Sequence, residues 1–227
     1  MSSYIKNLIE RGEGQHLDFK FEIADSRKIA RSLVAFSNSE GGTLLIGVKD
    51  NGAIAGVRSE EEFYMVEAAA SLYCKPTVSF QVHEWNIEKK TVLEITILPD
   101  PDVLRSAPDK AGNFKVYIRV NDQNLLVNNV YLQARKKKRA KGGVFLAYTD
   151  KEKELLTYLD QNFSITLSKF RRISNLKKNQ AEKILANFIA LDIIEQILTE
   201  NGCYYKLKDG NFQIPLNENY PKDFLKW

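Results

Sequence analysis

The sequence predicts an α+β fold, a small mixed or antiparallel sheet with packed helices, joined to a smaller C-terminal domain of helices and a β-ribbon. Three observations predict it. Hydrophobic spacing switches between period 2 and helical period several times before residue 135, a basic run ending in Gly142-Gly143 interrupts the chain, and the remainder reads helix, helix, helix, hairpin. The 227 residues are 44% hydrophobic and 27% charged, with six prolines, a globular composition long enough for one or two domains.

Taken in order, Leu17-Asp18-Phe19-Lys20-Phe21 alternates, which places Leu17, Phe19 and Phe21 on one face of a half-buried strand and Asp18 and Lys20 on the other. Glu13 precedes it in a Gly-Glu-Gly turn. From Ser26, the residues Ile29, Ala30, Leu33, Val34 and Phe36 fall at helical spacing, with Asp25 or Ser26 as the N-cap. That helix should end near Asn38-Ser39, where Gly41 and Gly42 tolerate a C-terminal cap. Thr43 to Val48 is nearly all apolar and reads as a buried strand. Lys49-Asp50-Asn51-Gly52 is a hairpin turn leading to a strand over Ala53 to Val57. Glu13, Asp18, Lys20 and Asp50 can thus meet at one end or one face of a small sheet.

Glu60 to Leu72 is a helix with acids in its first turn, broken by Lys75-Pro76. Val78 to Trp85 and Thr91 to Leu98 alternate and form an antiparallel hairpin around Asn86 to Lys90. Residues 99 to 113 are a loop that either drapes over the site or is a surface excursion. Phe114 to Val120 is a strand with Lys115, Tyr117 and Arg119 on one face. Arg119 is a candidate phosphate contact or a structural ion pair.

Glu13, Asp18-Phe19-Lys20, Ala35-Phe36-Ser37-Asn38, Gly41-Gly42, Gly47-Val48, Asp50-Asn51-Gly52 and Gly56-Val57 occur in the order and spacing of a known pattern. The stretch resembles the Schlafen AlbA-like domain family, and Tyr117-Ile118-Arg119 looks like that family's later Tyr-x-Arg strand, so the resemblance runs from about residue 5 to 135. One departure is Asp18, where the family usually has glutamate. The resemblance implies an α+β domain that binds nucleic acid. As an alternative it implies a metal-dependent endoribonuclease, as some members of the family are, whose three carboxylates would fall on Glu13, Asp18 and Asp50 and hold Mg²⁺ or Mn²⁺, with Lys20 neutralising charge on the phosphate.

The net charge of +4 is unevenly divided. Residues 1 to 134 carry 15 Lys+Arg against 18 Asp+Glu, net −3, whereas residues 135 to 227 carry 18 against 11, net +7. Such a split points to a polyanionic partner. Asn129 to Ala134 looks helical and runs into Arg135-Lys136-Lys137-Lys138-Arg139-Ala140-Lys141, read as a linker that also contacts phosphates. The expected domains are therefore 1–134, a basic linker over 135–149, a second domain over 150–210 and a tail over 211–227.

In that second domain, Asp150 to Asn162, Leu167 to Ile173 and Asn179 to Leu191 are helices, and Ile193 to Leu198 and Cys203 to Leu207 flank an Asn-Gly turn. By layout this segment resembles a winged helix-turn-helix, whose third helix would offer its early side chains to DNA. Lys177, Lys178, Asn179, Gln180 and Lys183 occupy those places, and Lys169, Arg171 and Arg172 lie on the helix before.

Some functions are disfavoured. Cys74 and Cys203 are too far apart and too few for a disulfide framework or a zinc site. There is neither a membrane-length apolar run nor a secretory leader, so a soluble cytoplasmic protein without membrane contact is expected. Gly41-Gly42 lacks a phosphate-loop pattern, and His16 as a proton shuttle is weaker than a solvated or capping histidine. The favoured reading is a nucleic-acid-binding protein, a DNA-binding transcriptional regulator, with DNA preferred over RNA and no cofactor expected. The metal-dependent endoribonuclease is the alternative, and a dimerising adaptor, a homo-oligomer, is the second.

Overall fold

The expected small sheet is present, and the computed structural model describes it within residues 2–140 and 142–208. Strands β1 (Leu17–Lys20), β2 (Gly42–Ile46), β3 (Gln81–Ile87) and β4 (Lys90–Ile97) lie in the order β1-β2-β4-β3. β1 and β2 are parallel and the other neighbours antiparallel. A parallel pair needs a crossover, and α2 (Ser26–Asn38) supplies it, capped by the Asp25 side chain accepting from Arg27 N.

Both sheet faces are covered. Leu44, Ile46, Leu93 and Ile95 pack with α2 and α3 (Glu61–Leu72), whereas Leu17, Phe19, Leu45 and Val92 pack against Ile5 of α1 (Ser2–Arg11). This is why residues 43 to 48 read as a nearly all-apolar run. Helix α1 was not anticipated, although Ile5, Leu8 and Ile9 carry its spacing.

The hairpin of β3 and β4 turns on Glu88 and Lys89, both at positive φ, so it is tighter than the 86–90 turn expected. The strand expected over Ala53 to Val57 is reduced to a single Val48–Ile54 bridge. Beyond β4, β5 (Ala107–Pro108) pairs with β6 (Phe114–Lys115), and β7 (Tyr117–Val120) pairs with β8 (Gln123–Leu126), a strand not anticipated.

The loop over residues 99–113 is held along α2. Asn38, buried at the end of that helix, accepts from Arg105 N at 2.9 Å and donates to Arg105 O at 2.9 Å and Tyr117 O at 2.8 Å. One side chain therefore satisfies backbone groups of both the loop and β7. Gly41 and Gly42 serve close packing: a side-chain carbon at Gly42 would lie 2.4 Å from the Phe36 ring, and one at Gly41 would lie 2.7 Å from Ile97 O.

The second unit begins at Asn128, not after Ala134. The basic run expected as a linker is instead the end of helix α4 (Asn129–Arg139), because Val130 and Ala134 lie one turn apart and both bury in the second core. Asn128 caps it by accepting from Tyr131 N. Next come α5 (Asp150–Gln161), α6 (Leu167–Ile173), α7 (Lys178–Ala190), β9 (Ile194–Thr199) and β10 (Gly202–Leu207), helices and ribbon in the order expected. Phe170, Leu185, Phe188 and Tyr205 form the core with Leu155 and Leu156.

Helices α4 and α7 run in parallel. Asn129 donates to Glu182 near the start of α7, and Lys138 pairs with Asp192 just past its end. Lys141 and the expected tail over 211–227 lie outside the described residues. No helix among those described is long and apolar enough to cross a membrane.

Replacing Asn38 with alanine should lower the unfolding free energy by about 2–4 kcal/mol, because buried backbone groups lose their partners. Chemical denaturation measures this, and a change under about 0.5 kcal/mol would contradict the anchoring role.

Candidate functional site

On the charged face of β1, Asp18 is buried and Lys20 half-buried, contrary to the alternation argument. Asp18 and Lys20 point towards α2, and Asp18 is only 4% exposed because the β7–β8 hairpin and α2 cover this edge of the sheet. Lys20 Nζ lies 2.9 Å from Asp18 Oδ2 and donates to Phe19 O, and Ser32 donates to the same Oδ2 at 3.4 Å. Arg119 Nη2 approaches Asp18 Oδ1 at 3.4 Å.

Arg119, a candidate phosphate contact by sequence, is 3% exposed. Its Nε donates to Gly14 O at 3.0 Å, its Nη1 to Asn124 Oδ1 at 3.1 Å and its Nη2 to Leu17 O at 3.1 Å, and the guanidinium lies 5.0 Å from the centre of the Phe36 ring. The side chain is consumed by the fold and offers nothing to a phosphate. In the fold it takes the place of a structural ion-pair partner to Asp18.

Glu13 stands at the rim. Its Oε1 accepts from Phe19 N at 2.7 Å. Partial loss of water and the adjacent Asp18 carboxyl raise its pKa above the ordinary carboxylate value, an effect only partly offset by the Phe19 N–H and Lys20.

Asp50 does not join them. It sits exposed in the turn beyond the strand ends, where Gly52 N donates to Lys49 O and Ala53 N to Asn51 Oδ1. The trio Glu13, Asp18 and Asp50 therefore does not fit a shared divalent ion, which needs several oxygens about 2–2.6 Å away. Among the described residues no group of three or more His, Cys, Asp or Glu side chains is placed to hold a metal. His16 Nε2 faces Glu40 at 3.3 Å, with its other ring nitrogen by Gly41 O.

The basic candidates fall into two groups in the second unit. Lys177, Lys178, Asn179, Gln180 and Lys183 are all exposed on the first turns of α7, whereas Ala181, Glu182 and residues 184 to 188 are buried. Gln180 is partly engaged, since its Oε1 accepts from Lys177 N at 3.1 Å, and Lys178 leans towards Glu182 at 3.8 Å. Arg171 and Arg172 are exposed at the end of α6, and Lys169 lies over the Tyr158 ring at 5.7 Å.

The second group is on α4. Lys136, Lys138 and Arg139 are exposed, Arg135 and Lys137 half-buried, and Lys138 is paired with Asp192. Because α4 and α7 are parallel, this group sits at the far end of α7, about 18 Å from Lys178 at roughly 1.5 Å per residue. Sequence reasoning did not place the two groups relative to each other. It missed Ser32, Asn124 and Asp192, whose roles appear only when distant segments meet.

Residues 13–128, just over half of the chain, match the family described as Schlafen, AlbA_2. Solved structures similar to this chain include the following two. One is the DIP2311 protein from Corynebacterium diphtheriae, 17% identical with a TM-score of 0.43, covering 66% of this chain and 34% of its own. The chain thus spans about a third of that protein's length. The other is the N-terminal domain of an ATP-dependent DNA helicase RecG-related protein from Nitrosomonas europaea, 18% identical with a TM-score of 0.34, covering 55% of this chain and 95% of its own.

Replacing Arg119 with methionine should cost about 3–5 kcal/mol, because Asp18 stays buried short of a cation. Adding Asp18→Asn should restore part of that loss in a double-mutant cycle, and strictly additive losses would contradict the coupling. For Glu13 the raised folded pKa means that folding favours the protonated acid. That contribution is full below the unfolded pKa and is lost as pH rises through the folded value. Glu13→Gln, which keeps the oxygen that accepts from Phe19, should therefore lose less stability than the parent between about pH 4 and pH 7 in urea denaturation. Parallel pH profiles would refute it.

Proposed function

The chain belongs to the Schlafen AlbA_2 family, and on that premise we propose that it binds nucleic acid through the basic face of its second unit. The observation that carries this is the division of α7. Lys177, Lys178, Asn179 and Lys183 face solvent on its leading turns, while Ala181, Glu182 and residues 184 to 188 are buried. Polar and cationic groups at the start of a third helix suit phosphates and major-groove base edges.

Charge supports the same reading. All of the positive excess lies beyond residue 134, net +7 against −3 before it. Arg171 and Arg172 extend the cationic surface across the turn between α6 and α7. In this proposal the second unit works as a winged helix, with the β9–β10 hairpin as its wing, on duplex DNA in preference to RNA, and the protein acts as a transcriptional regulator. The first unit contributes a scaffold in which Asp18 is already held by Arg119, Lys20 and Ser32.

Binding of labelled duplex DNA, followed by fluorescence anisotropy across a salt series, tests this. Each phosphate contact adds about 0.9 to the log–log slope, so the combined variant Lys177→Ala, Lys178→Ala, Lys183→Ala should lose about 2–3 from it. Binding that ignores salt, or a slope unchanged in the variant, would sink the reading.

A further inference from the structure

Asp192 stands where α7 ends, and ending a helix does not call for an acid. Asp192 N donates to Ile189 O at 3.1 Å and Ile193 N to Phe188 O at 2.9 Å, with Asp192 itself at φ 58. This is the Schellman cap, whose left-handed position usually takes glycine or asparagine. A negative charge there also faces the negative end of the helix dipole. Two lysines from separate segments offset both penalties. Lys138 Nζ of α4 and Lys208 Nζ, just past β10, reach the same Asp192 Oδ1 at 2.8 and 2.9 Å.

Together they draw the Asp192 carboxyl down to about 2, so it stays charged at neutral pH. The three side chains are nevertheless 42%, 48% and 54% exposed, and exposed ion pairs hold weakly against competing ions. Two ammonium groups converging on one oxygen are the arrangement that a phosphate oxygen would take.

We propose that Lys138 and Lys208 form a second backbone-phosphate site for nucleic acid, occupied in the free protein by Asp192 as a displaceable internal counter-ion. This rests on the function proposed above but uses different residues, at the opposite end of α7 from Lys177 and Lys178. The roughly 18 Å between the two groups is comparable to five steps of about 3.4 Å along one strand. A ligand long enough to engage both ends gains by displacing Asp192. A short or weakly charged ligand meets a site whose positive charge Asp192 has already halved, so the device selects for extended polyanions.

The test uses the full chain and a labelled duplex of about 20 base pairs, roughly two helical turns. Asp192→Asn keeps a side chain suited to the cap and removes the charge. It should bind roughly three- to tenfold more tightly near 0.1 M salt, with a log–log slope steeper by about 1–2, and melt at the parent temperature. Lys138→Ala with Lys208→Ala should bind more weakly with a shallower slope, and in that background Asp192→Asn should add nothing. Normal duplex binding that is indifferent to Asp192→Asn, or a gain that survives intact without the two lysines, would overturn this inference alone. Complete absence of duplex binding by the parent protein would overturn the proposed function and this inference with it.

Discussion

The buried guanidinium of Arg119 is the interaction on which the first unit depends. It reaches the turn before β1 through Gly14 O, β1 itself through Leu17 O, β8 through Asn124 and the end of α2 through the Phe36 ring. A planar fork of donors can do this where a lysine cannot, because the bonds leave in several fixed directions. Taking that charge out of water is costly, and Asp18 at 3.4 Å supplies the counter-charge. The consequence reaches the chemistry. Asp18 is held by Arg119, Lys20 and Ser32, so it is a part of the fold before it is available to any ion or substrate.

The same economy appears in Asn38, whose amide satisfies backbone groups of the 99–113 loop and of β7 at once. Polar residues that look like site residues in the sequence are here the pins between the sheet, α2 and the later hairpin. Their burial explains why a motif of charged and amide side chains can mark a family through its architecture. A carboxylate trio would need Asp50 as well, but the tight turn around Asn51 and Gly52 carries it beyond the strand ends.

The second unit distributes its charge differently. Its core is mostly apolar, with Glu182 and Asn187 buried beside it, and its candidate nucleic-acid-binding cations fall in two groups set apart by the length of α7. Helix α4 makes this separation. By packing alongside α7 it places the basic run at one end of that helix, while the exposed lysines of α7 itself occupy the other. Asp192 then tempers one group and leaves the other open, which gives the two ends different electrostatic character from nearly the same residue types.

Much of this was legible in the sequence. Periodicity located α2, α3, α5, α6 and α7 and the hairpins at β3–β4 and β9–β10, because those elements are held by local spacing, caps and turn residues. The family pattern over residues 13 to 57 was legible for the same reason, being made of contiguous segments. The burial of Asp18 and Arg119 was not legible. Alternation in β1 says that two faces differ but not that α2 and the β7–β8 hairpin will cover the charged one, and that cover comes from residues up to a hundred positions away. Likewise Arg135 to Arg139 look like a linker until α7 gives Val130 and Ala134 something to pack against. The sequence by itself determined most of the helices and hairpins, those held by local spacing and turn residues, and where the charge lies along the chain. Only the tertiary structure decided which charges are buried as pins and which face water, because that depends on long-range contacts whose desolvation cost no local pattern records.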